Sequence, residues 1–168
     1  MEADLRPIDL CMKGSLLLAL ALVSGPALRA EKDAEGFVRL APEDMPWKDM
    51  PGGLGAQMAV VGGDPSTPGL YIVRVKFPPG VMSRPHFHPE DRHAVVLKGT
   101  WWTGTGDVFD PSRTVPLKPG SYMKHPAGAH HFDGAKDEEV IVQIAGYGPT
   151  AMTLLAPGEG AFGRSTPH

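Results

Sequence analysis

His86-Phe87-His88 limits what this chain can become more than any other feature. The pair leads through Pro89-Glu90-Asp91-Arg92-His93 into the apolar run Ala94-Val95-Val96-Leu97. In a β-strand, successive side chains point to opposite faces. His86 and His88 therefore share a face, and Phe87 takes the other. Two imidazoles on one face can hold a metal ion if further ligands converge on it. Six of the seven histidines fall between residues 86 and 131, so His93 and the pair His130-His131 are the candidates for that role. The competing reading is a set of surface or hydrogen-bonded histidines.

Much of the remaining patterning also has a period of two. Residues 57–61 and 139–144 read as strands, and 70–77 alternates with Arg74 and Lys76 on one face. In residues 93–98, His93, Val95 and Leu97 share one face, and Ala94, Val96 and Lys98 share the other. Shorter runs at 37–40, 100–103, 114–117, 121–125 and 150–155 complete the set. Turn chemistry separates them at Pro78-Pro79-Gly80, Gly104-Thr105-Gly106-Asp107 and Lys118-Pro119-Gly120. The 21 glycines and 18 prolines argue for turns over long helices, and no window beyond the N-terminal segment holds a 3.6-residue apolar period. Many short strands between such turns predict a single all-β sandwich or barrel.

The first 30 residues read as a secretory signal peptide. Met12-Lys13 precedes an apolar run from Leu16 to Val23, and Gly25-Pro26 with small residues follows. The run is too short for the roughly 20 residues of a transmembrane helix, so no stable membrane insertion is expected. Glu2, Asp4 and Asp9 suit such a leader poorly, which points to Met12 as the start, with cleavage after Ala30 or Ala27. A domain over 31–155 and a loosely held tail over 156–168 would follow, in the periplasm or secreted. The sole cysteine, Cys11, would be lost with the leader, which removes cysteine chemistry from the mature chain. Net charge is −3 with both signs interspersed, so there is no basic surface for nucleic acid.

The spacing of these residues resembles the cupin superfamily. Its first motif runs Gly, five residues, His-x-His, three or four residues, Glu, six residues, Gly; Gly80, His86, His88 and Gly99 match it. Its second motif runs Gly, five residues, Pro-x-Gly, two residues, His, three residues, Asn; Gly120, Pro126, Gly128 and His131 match it. The resemblance implies a double-stranded β-helix, the cupin jelly-roll barrel. The family's Glu falls on Arg92 counted back from Gly99, or on His93 counted forward from His88. Arg92 cannot bind a metal, and His93 shares its face with Val95 and Leu97. His93 is therefore taken as the fourth ligand beside His86, His88 and His131, with Glu90 or Asp91 as the carboxylate alternative. The family's Asn falls on Ala135, and His130 should point outward. His125 is left open between a place behind the site and the surface.

Four neutral imidazoles would leave the full 2+ charge on a divalent transition metal and suit iron, zinc, nickel or copper over calcium. The resemblance adds manganese and implies activities from dioxygenases to isomerases and lyases, with members that only bind. An all-histidine set looks most like the iron-dependent dioxygenases, so iron is the first expectation. Arg84, two residues from His86, would hold a substrate carboxylate or else lie exposed beside Pro85. The expected function is an exported metal-dependent enzyme acting on a small polar molecule. Its alternative is a non-catalytic metal- or ligand-binding cupin, for sensing, storage or assembly. Homodimer formation through the sheets is implied by the family.

Overall fold

In the computed structural model, which describes residues 32–165, the alternating segments pair into two antiparallel sheets. The expected signal peptide lies outside the described residues. The strands are β1 (Lys48–Asp49), β2 (Gln57–Gly62), β3 (Gly69–Phe77), β4 (Val81–Ser83), β5 (His86–Phe87), β6 (Arg92–Lys98) and β7 (Trp101–Thr105). They continue as β8 (Val115–Leu117), β9 (Tyr122–His125), β10 (His131–Gly134), β11 (Val140–Gly148), β12 (Thr153–Leu154) and β13 (Phe162–Arg164). One sheet has the order β1-β2-β3-β11-β6-β9. The other has the order β12-β5-β10-β4-β13, with β7 joined to β10 and β8 to β7. Short 3-10 turns are the sole helical elements among the described residues, and no helix there is long and apolar enough to cross a membrane. This is the double-stranded β-helix, the cupin jelly roll.

The inner face is built by the two-residue period. Along β3, Tyr71, Val73, Val75 and Phe77 are buried, while Ile72, Arg74 and Lys76 alternate with them on the outer side. Val140, Val142 and Ile144 of β11 and Ala94 and Val96 of β6 pack against them, with Trp101, Val81 and Phe162 from the second sheet. Each fully buried Val or Ile contributes about 1.5–3 kcal/mol against exposure, so this face holds the sheets together. Gly99 lets the chain leave β6: its φ is +71°, and a Cβ there would stand 2.2 Å from the Glu139 carbonyl oxygen.

The strands differ from the sequence reading at β6, in the tail and at residues 37–40. Along β6 the buried residues are Arg92, Ala94 and Val96, and His93, Val95 and Leu97 are exposed. The inward face is thus the opposite of the one expected from Val95 and Leu97. The segment after Ala156 is not loose through Ser165, because β13 pairs with β4 (Phe162 opposite Ser83) and buries Phe162 in the core. Residues 37–40 form no strand, as Val38 makes just an isolated bridge to Lys32.

Candidate metal centre

Both sheets contribute histidines to one cavity. On the second sheet His131 of β10 is the cross-strand partner of His86 of β5, which sets the two rings 4.3 Å apart. His88 follows at 5.0 Å from the His86 ring and 5.6 Å from the His131 ring. On the first sheet Arg92 of β6 is paired with His125 of β9. Both are buried, and both line the same cavity as His86 and His88.

His86, His88 and His131 each offer a ring nitrogen within 4.8 Å of the others, close enough to hold one ion. The backbone fixes which nitrogen is free. Nδ1 of His86 lies 2.7 Å from the Arg84 carbonyl oxygen, Nδ1 of His88 2.7 Å from that of Ala151, and Nδ1 of His131 3.0 Å from that of Ala129. A carbonyl accepts and never donates, so each Nδ1 carries the proton and each Nε2 keeps its lone pair. Orientation of a ligand histidine by a carbonyl on its far nitrogen is a common feature of metal sites. Nε2 of His131 is buried with no hydrogen-bond partner. The donor set therefore fits a divalent transition metal.

Burial, the largest cause in each case, keeps the rings neutral. It pushes His86 down to about 3, and His88 and His125 to about 2, with the neighbouring cations and imidazoles adding to the shift. Burial also lowers His131 and raises Asp133, so this adjacent pair favours its neutral forms. Neutral imidazole is the form that binds metal.

His93 is not the fourth ligand. It stands on the outer face of β6, where Nδ1 lies 2.8 Å from the Tyr122 hydroxyl. Arg92 occupies the inward position instead, with its guanidinium against Nε2 of His88. Neither carboxylate alternative replaces it. Glu90 accepts a 2.6 Å hydrogen bond from the Tyr71 hydroxyl, and Asp91 accepts one from the Ala127 amide and pairs with Lys124 on the surface. Arg84 points away from the cluster, pairing with Glu159 at 2.9 Å and lying 5.1 Å over the Phe109 ring, so it holds no substrate in the barrel. His130 faces outward beside Asp107, 2.7 Å away.

Two residues of the site went unassigned in the sequence. His125 stacks on His131 and meets the edge of Trp101. Asp133 stands two residues beyond His131 on the same face, accepts from Trp101 Nε1 at 3.1 Å, and lies 3.9 Å from His131 Nε2. His125, His131 and Asp133 make a second group able to hold an ion, sharing His131 with the first. The two-residue period from His131 to Asp133 was the available signal.

The whole cavity, cluster included, has a volume of about 250 Å³ and continues from the histidines between Tyr71, Val73, Val75, Ile144, Met152 and Phe162. That is below the roughly 300–1,000 Å³ usual for drug-sized ligands, so the space suits a small molecule with an apolar body.

A jelly roll with inward histidines at these positions is a cupin. Within that superfamily, the ChrR cupin-like domain family matches residues 35–151, and the chain belongs to it. The chain is also 29% identical over 106 residues to germin-like protein subfamily 1 member 3 of Arabidopsis thaliana, covering 61% of this chain and 47% of that relative. It thus spans about half the length of that curated protein. Among solved structures, the polyketide cyclase RemF from Streptomyces resistomycificus is similar at a TM-score of 0.58 and 17% identity, over 69% of this chain and 83% of that one. DMSP lyase DddQ from Ruegeria pomeroyi gives 0.55 and 21%, over 67% and 62%. KdgF from Halomonas sp. gives 0.51 and 22%, over 65% and 94%. At these identities the likeness is one of fold.

Proposed function

We propose that the protein is an exported metal-dependent enzyme that binds one divalent transition metal through His86, His88 and His131 and acts on a small molecule held in the barrel. The observation that carries this reading is the shared tautomer: three buried histidines bring ligand nitrogens within 4.8 Å of one another, and a carbonyl on each Nδ1 leaves Nε2 as the donor. Iron is the metal we propose first, with oxygen-dependent oxidation as the chemistry it would supply; zinc, nickel, manganese and copper suit the same donors. The protein's own residues orient the imidazoles, keep bulk water out with the apolar wall, and place a buried carboxyl, Asp133, 3.9 Å from His131 Nε2. The similar structures include a cyclase and a lyase, which supports catalysis on this fold. Export rests on the Leu16 to Val23 run and is tested by N-terminal sequencing of the mature chain. Homodimer formation is a further part of the reading, supported by exposed Val95 and Leu97 on the outer sheet face.

The second reading is a cupin that binds a metal or small ligand without turnover, and Arg92 at the inward position favours it. Stripped protein reloaded anaerobically with Fe(II) separates the two in an oxygen electrode. Oxygen uptake that depends on an added small molecule supports the enzyme. Ligand-dependent stabilisation without uptake across a broad panel supports the binder.

A further inference from the structure

We propose that Arg92 is an anion anchor, and that the barrel takes a small monocarboxylate whose head meets this guanidinium and whose hydrocarbon body lies on Val73, Val75 and Ile144. The proposal deepens the function above by naming the class of molecule, and its first arm needs no metal. Arg92 is 8% exposed, and its Nε is buried with no partner. A buried guanidinium is costly unless an anion answers it. No carboxylate among the described residues closes an ion pair with it: Glu90 and Asp133 act on it through space and the Tyr71 hydroxyl is a further neighbour, while Glu90 accepts from Tyr71 through one oxygen and Asp133 from Trp101 Nε1. The sole contact the guanidinium makes to the cluster is with His88 Nε2.

That contact couples the anion to the metal. A metal on His88 needs the same lone pair that Arg92 occupies, so the two compete. A carboxylate that draws the guanidinium towards the apolar half of the cavity releases His88. It also offsets a site that would otherwise collect a guanidinium and a 2+ ion with little opposing charge. A planar guanidinium matches a carboxylate with two parallel hydrogen bonds, which a neutral amide of the same shape cannot reproduce.

The test uses benzoate and its neutral isostere benzamide, titrated by calorimetry at pH 7.5 into metal-free protein. Benzoate should bind about tenfold or more tighter than benzamide, and Arg92→Gln should erase the difference. Arg84→Gln, which alters a surface ion pair, should leave it intact. Arg92→Lys keeps the charge without the fork and should retain a reduced preference for benzoate, which covers the case of a Gln variant that does not fold. In a second arm, zinc should bind the wild type more tightly when benzoate is present, and Arg92→Gln should bind zinc equally well with or without it. Benzoate no tighter than benzamide, or no binding of either, overturns the proposal even if zinc binds. Benzoate selectivity with no zinc binding leaves the anchor standing and removes the metal centre instead.

Discussion

The ring of His125 lies 3.9 Å from that of His131 at an interplanar angle of 16°, and neither nitrogen of His125 meets a hydrogen-bond partner. A buried polar atom without a partner costs about 1–3 kcal/mol. His125→Phe keeps the stack and removes both orphans, so the metal-free variant should melt several degrees higher in calorimetry. It should still load metal on His86, His88 and His131. Loss of metal would place His125 among the ligands.

Acid should unfold the metal-free protein early and steeply. His86 is held at about 3 and His88 and His125 at about 2 in the fold, against an ordinary value of 6.5. Below 6.5 the unfolded chain takes protons that the folded one refuses. Stability is therefore full above that value and falls as pH drops towards 3. Each of the three histidines contributes a slope of about 1.4 kcal/mol per pH unit. Circular dichroism between pH 7 and pH 3 should show a transition that zinc shifts to lower pH. A melting temperature flat across that range would contradict the buried neutral cluster.

Two glycines of the motif should respond differently to the same change. Gly120 has φ +88° with open space where a Cβ would stand, so Gly120→Ala should cost about 1–2 kcal/mol, the penalty of left-handed backbone. Gly99 adds to φ +71° a backbone oxygen 2.2 Å from that Cβ. Gly99→Ala should exceed the other by about 2 kcal/mol or more in denaturant melts.

The spacing from Gly80 to His131 made both the barrel and three inward histidines legible, because a two-residue period and tight turns leave few ways to fold. The fourth position was misread for a physical reason. Residues 86, 88, 92, 94 and 96 all face inward, so simple alternation carried from His86 through the Pro89–Asp91 loop points to Arg92. The apolar Val95 and Leu97 suggested the other face, but they lie on the outer side of the six-stranded sheet. An arginine inside a barrel also runs against residue statistics, and its neighbours on β11 and β9 are remote in sequence. His125 was hidden in the same way, since its place depends on pairing with Arg92 across the sheet. The tail looked loose from its glycines and prolines, yet Phe162 closes the core.

Exchanging Arg92 for a carboxylate should strengthen the metal site. Arg92→Glu removes the group competing for His88 Nε2 and adds a negative ligand at an inward position. Zinc affinity should rise by about tenfold or more in chelator competition, with benzoate preference lost. Unchanged or weaker zinc binding in a folded variant would show that the guanidinium does not oppose the metal.

Metal content of the purified chain, measured by mass spectrometry for the wild type, His131→Ala and His93→Ala, bears most directly on the three-histidine centre. Near-stoichiometric transition metal should appear in the wild type and in His93→Ala, and be lost in His131→Ala with the fold retained by circular dichroism. Metal lost with His93, or absent from a wild type that also refuses added iron and zinc, would contradict it.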